Sequence, residues 1–204
     1  GDLALQARII LGLAETLAAS DRPEEAAKQF QDGLRIAREM NDLALEAQCV
    51  TSLAQLYQEL GDTIDATEAQ RTALAIEERL GNRHAAATWA FELGSNELAL
   101  RHPEAAVDAF DRSRLLANQL GDHELEQRAE GGLGIAYTVL RQSGDAIDHL
   151  QRALQLAREA GDTAKQAQWL ATLAQAYWTF GHPEEAARAT GQAIELSRVI
   201  GDLS

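Results

Sequence analysis

Apolar residues recur along this chain at a spacing of three to four, and no segment alternates apolar with polar for long, which predicts helices and no strands. The pattern is punctuated at regular intervals. Gly1-Asp2, Asn41-Asp42, Gly81-Asn82, Gly121-Asp122, Gly161-Asp162 and Gly201-Asp202 stand 40 residues apart. A second mark falls midway through each interval, at Ser20-Asp21-Arg22-Pro23, Gly61-Asp62, Arg101-His102-Pro103, Arg141-Gln142-Ser143-Gly144 and Gly181-His182-Pro183. Each unit is thus predicted to be two helices of roughly 15–19 residues joined by a short turn. The units are 1–40, 41–80, 81–120, 121–160 and 161–200. Self-similarity at this period predicts an all-α solenoid, one domain over 1–204, in which each unit buries its apolar face against its neighbours.

Superposing the units predicts the core. Leu13, Leu53, Leu93, Leu133 and Leu173 share one position of the first helix, and Ala26, Ala66, Ala106, Ala146 and Ala186 one of the second. Small residues recur at Ala14, Ala54, Gly94, Gly134 and Ala174, and at Gly33, Ala73, Ser113, Ala153 and Ala193, where helix axes approach closely. Tyr57, Tyr137 and Tyr177 fill the remaining space. Leu followed by Ala or Gly, then Tyr, a turn and an acidic-Ala pair (Glu25-Ala26, Asp65-Ala66, Glu185-Ala186) resembles the tetratricopeptide repeat. The 40-residue unit with its Gly-Asp opening is most similar to the long variant found in Leu-Gly-Asn repeat proteins and in sensor arrays of bacterial signalling ATPases and transcription regulators. The resemblance implies a right-handed superhelix, a concave surface lined by the first helix of each unit, and protein or peptide binding.

Charge and cysteine content narrow the partners. A formal net charge of -14 disfavours nucleic acid and anionic membrane, which need clustered Lys and Arg. The single Cys49 has no intrachain partner, which points to a reducing, cytoplasmic compartment. There is no signal peptide and no apolar run long enough to cross a bilayer. The chain starts and stops near repeat boundaries and reads as a piece of a longer protein. Open ends then predict self-association through Leu3, Ile9 and Ile10 at one end and Ala193, Leu196 and Ile200 at the other.

The stripe expected on the concave face supplies the candidate peptide-binding residues Arg8, Gln48, Gln55, Glu92, Arg128, Gln168 and Gln175. Gln, Ser and Thr along it offer donors and acceptors to a peptide backbone. It holds no Lys or Asn, so the carboxylate clamp of chaperone-tail binders is missing. Glu15, Gln55, Ser95, Ile135 and Gln175 replace the asparagine of Leu-Gly-Asn proteins. Arg8 and Arg128 match the arginine that precedes the leucine in that family, leaving room for an acidic side chain on the ligand.

Trp178, whose counterparts are Ala18, Gln58, Leu98 and Thr138, is the candidate apolar anchor, whereas Trp169 matches Trp89 and reads as packing. Gly131, Gly132 and Gly134 serve either close helix packing or the approach of a ligand to bare backbone; they lie mid-helix, with no following Lys-Ser/Thr, and so make no phosphate loop. No His, Cys or acidic spacing suggests a metal, a cofactor or a catalytic constellation. The reading is a protein- or peptide-binding scaffold within a larger signalling or regulatory protein, and not an enzyme. The alternative is a self-associating spacer that positions flanking effector domains.

Overall fold

A computed structural model of the chain describes residues 2–202. Among these lie ten α-helices: α1 (Leu3–Ala19), α2 (Pro23–Met40), α3 (Leu43–Leu60), α4 (Thr63–Leu80), α5 (Arg83–Ala99), α6 (Pro103–Leu120), α7 (His123–Val139), α8 (Ser143–Glu159), α9 (Thr163–Thr179) and α10 (Pro183–Asp202). The fold is an all-α helical-repeat solenoid. Packing divides the chain into two compact units, Gly1–Leu100 with α1 to α5 and Arg101–Ser204 with α6 to α10.

The Gly-Asp punctuation does two jobs in two residues. The glycine ends one helix in the left-handed region, with φ of 73° at Gly81, 70° at Gly121 and 68° at Gly161. The aspartate opens the next: Asp42, Asp122 and Asp162 accept from the backbone N–H of Leu45, Leu125 and Lys165 at 3.0, 3.0 and 2.9 Å. Where the mid-unit mark carries proline, Pro23, Pro103 and Pro183 begin α2, α6 and α10, a position that needs no N–H.

The predicted stripes form the core. Leu53, Leu93, Leu133 and Leu173 are buried, as are all five alanines of the second-helix stripe. Leu13 is the exception at 46% exposed. Its helix packs on α2, and among the described residues no other helix covers the side that an earlier helix covers in the later units. Ala193 is buried in the α8–α9–α10 cluster, as its place in the small-residue stripe predicts, and is therefore not part of an open apolar end.

The glycine run of α7 is explained by packing. A Cβ on Gly131 would run into the ring of Trp169, one on Gly132 would lie 2.7 Å from Phe110, and one on Gly134 2.5 Å from Leu150. Side chains from α6, α8 and α9 thus occupy the bare backbone, and no ligand is needed to account for it. Gly12, mid-helix in α1, has open space around it. Gly131→Ala or Gly134→Ala should therefore lower stability by about 1–3 kcal/mol. Gly12→Ala should raise it by about 0.5–1 kcal/mol. Chemical denaturation of the three variants checks both signs.

Candidate functional site

Helix α9 carries Ala164, Ala167, Ala171 and Ala174 at helical spacing, and the facing side of α10 carries Ala186, Ala187, Thr190, Gly191 and Ile194. Side chains this small cannot fill the space between two helices, and a groove of about 1370 Å³ remains. Its walls are mainly aliphatic, and Gln168, Gln175 and Trp178 of α9 stand on it. Trp178 is 71% exposed, so its indole is available as an anchor. The volume exceeds the roughly 300–1,000 Å³ typical of small-molecule pockets.

Three of the eight candidate residues, Gln168, Gln175 and Trp178, are therefore brought to one groove in the second unit. Arg128 stands half-buried on α7. In the first unit Arg8 is exposed on α1, while Gln48 and Gln55 are exposed two turns apart on α3. Glu92, half-buried on α5, accepts from Gln58 Nε2 at 3.3 Å.

Sequence reasoning missed a set of buried polar side chains. Glu126, Glu130 and Glu97 are all buried. Glu130 pairs with His149 Nδ1 at 2.6 Å, and that imidazole stacks on Tyr137 with centroids 5.4 Å apart. Glu126 lies 3.4 Å from both Arg152 and His123, and Glu97 accepts from Arg71 at 2.5 Å. Gln70, fully buried, takes the place that Phe30, Phe110 and Leu150 hold in other units and accepts from Asn96 at 3.0 Å. The available signal was departure from the repeat: Glu130 stands where Val50, Ala90 and Leu170 do, and Glu97 where the tyrosines do.

Among the described residues no cluster of three His, Cys, Asp or Glu has metal-binding geometry, and no helix is long and apolar enough to cross a membrane. Cys49 is fully buried. Burial, with a smaller contribution from the charge of Glu46, pushes its thiol up to about 11.

Models of the family described as tetratricopeptide repeat match residues 125–198 and 47–86, and a model of anaphase-promoting complex subunit 5 matches residues 5–60. No curated protein sequence matches the chain at a significant level. Solved structures similar to it include BtubC (BKLC) from P. vanneervenii, with 21% identity, 98% of this chain and 82% of that one covered, and a TM-score of 0.75. MamA residues 41 to the end, from Desulfovibrio magneticus RS-1, share 18% identity over 98% and 97% of the two chains, with a TM-score of 0.71. The apo form of RapI shares 15% identity over 97% and 72%, with a TM-score of 0.78. At these identities the neighbours establish the fold. The chain is a tetratricopeptide repeat array. This class of fold serves as a protein-interaction scaffold.

Buried Cys49 gives a pH prediction. Its folded pKa lies above the unfolded value of about 8.5, so its contribution to stability is complete below that pH and is lost as pH rises through about 11. Denaturation of the native chain should show a steeper loss of stability between these limits than Cys49→Ala shows.

Proposed function

We propose that the chain is a peptide- or protein-binding module of a larger signalling or regulatory protein, acting in the cytoplasm and without catalysis of its own. Residues 1–204 act in this reading as one scaffold domain. The ligand is a polypeptide segment held by the first-helix residues Arg8, Gln48, Gln55, Glu92, Arg128, Gln168 and Gln175, of which Glu92 and Arg128 are half-buried and the rest exposed. A bulky apolar side chain of the segment is anchored against Trp178. One observation carries the reading: an apolar groove of about 1370 Å³ whose border holds an indole 71% exposed beside two glutamines. Apolar walls supply affinity to a segment, and a few amides at the border fix its backbone.

A second reading, self-association, is favoured by the exposure of Leu3, Leu5, Ile9 and Leu13 on α1 together with Ile194 and Ile200 on α10.

Peptides selected on the native chain from a random display library test the first reading. Trp178→Ala, and Gln168→Ala with Gln175→Ala, should each weaken the selected peptides about tenfold or more, roughly 1.4 kcal/mol, with the melting temperature unchanged. Unchanged affinity in both variants would remove the groove as the binding site. Concentration-dependent sedimentation that Ile9→Asp abolishes would establish self-association instead.

A further inference from the structure

The repeat places a notch between the second helix of one unit and both helices of the next, beside Tyr57, Tyr137 or Tyr177 where the unit that follows carries one. Three of these notches lie wholly within one compact unit, and their chemistry differs. Between α2, α3 and α4 the lining includes Gln31, Arg38, Tyr57, Asp65 and Glu68, around about 300 Å³. Gln31 Nε2 donates to Tyr57 Oη at 3.0 Å, and Arg38 is held by Glu46 at 2.8 Å. One arginine already in an ion pair thus faces two carboxylates. At the equivalent place between α6, α7 and α8, Arg114 is held by Asp111 at 2.6 Å, Arg152 lies 3.4 Å from Glu126, and His149 is held by Glu130. Both arginines of that notch have an internal partner.

Between α8, α9 and α10 the same construction is left open. Gln151, Arg158, Tyr177, Glu185, Arg188 and Gln192 stand around about 460 Å³, over a floor of buried Leu154, Leu170, Leu173 and Ala189. Gln151 Nε2 donates to Tyr177 Oη at 3.2 Å, which leaves the phenol hydrogen to donate outward. Arg158 and Arg188 are exposed, and among the described residues neither side chain has an ion-pair or hydrogen-bond partner. Glu159, beside Arg158 in sequence, accepts instead from Gln155 at 2.8 Å. Arg188 replaces Glu68 of the first notch and Asp148 of the second. Two unspent guanidinium groups over a leucine floor in a chain of net charge -14 are the reverse of the local trend.

We propose that this notch, separate from the α9–α10 groove, docks an acidic peptide segment of a protein partner: a Glu or Asp carboxylate between Arg158 and Arg188, and a neighbouring apolar side chain on Leu170 and Leu173. A guanidinium fork matches a carboxylate in two parallel hydrogen bonds, and Tyr177 adds a third donor. Net repulsion from the rest of the chain does not cancel this, because charges beyond about 8 Å are largely screened at physiological salt.

The probe is a short, capped, fluorescein-labelled peptide alternating Glu with Leu, compared by anisotropy with the same peptide carrying Gln in place of Glu. The Glu peptide should bind at least about tenfold tighter, and the preference should weaken with salt. Arg158→Gln with Arg188→Gln should abolish the preference without moving the melting temperature, and Arg158→Lys with Arg188→Lys should retain part of it. Equal binding of the two peptides, or a preference that survives the double Gln variant, would overturn the proposal. So would a preference lost in Trp178→Ala, which places the peptide in the other groove, or binding of a phosphoserine peptide in the absence of Glu binding.

Discussion

The ring of Trp169 lies on the bare backbone of Gly131, and the stacking of α9 on α7 depends on that contact. With any side chain at Gly131 the two helices could not approach this closely. Gly132 under Phe110 and Gly134 under Leu150 obey the same constraint from α6 and α8. Three glycines in a helix cost up to about 3 kcal/mol relative to alanine. A buried tryptophan removes about 150–250 Å² from water, worth roughly 4–6 kcal/mol, before Phe110 and Leu150 are counted. Burial wins, and the glycines are tolerated because of what they admit.

Much of the fold was legible because each unit repeats its instructions. Gly-Asp is a helix stop followed by a helix start: Gly121 ends α6 in the left-handed region and Asp122 caps α7. Superposing the units identified Leu53, Leu93, Leu133 and Leu173 as core correctly, but placed Leu13 with them. A period tells which positions are equivalent; it does not tell which of them has a neighbour on its outer side. The candidate residues show the same boundary. Trp178 was legible as the one aromatic residue among the counterparts Ala18, Gln58, Leu98 and Thr138, and it is exposed. The groove beside it was not legible, since Ala164, Ala167 and Ala171 read like any helix-forming alanines until α10 is set against them.

Buried charge was the least legible feature. Glu97, Glu126 and Glu130 look like surface acids in a chain rich in them, yet each lies inside, against Arg71, Arg152 and His149 respectively. In each contact the carboxylate is buried and its partner partly exposed, and removing that partner would leave a buried carboxylate less compensated, so these contacts tie α4 to α5 and α7 to α8. The internal pairing of Arg38, Arg71, Arg114 and Arg152 also sets Arg158 and Arg188 apart. The second unit thus presents an apolar groove bordered by amides and, apart from it, a notch bordered by guanidinium groups.

Helix α7 is held to α6, α8 and α9 by side chains seated on its bare backbone. A double-mutant cycle between Gly131→Ala and Trp169→Ala tests it most directly. If the ring occupies the space the new methyl needs, removing the ring relieves the clash. The double variant should then be more stable than the sum of the single losses predicts, by at least about 1 kcal/mol. Losses that add within about 0.3–0.5 kcal/mol would contradict the account, because residues that do not share space behave that way.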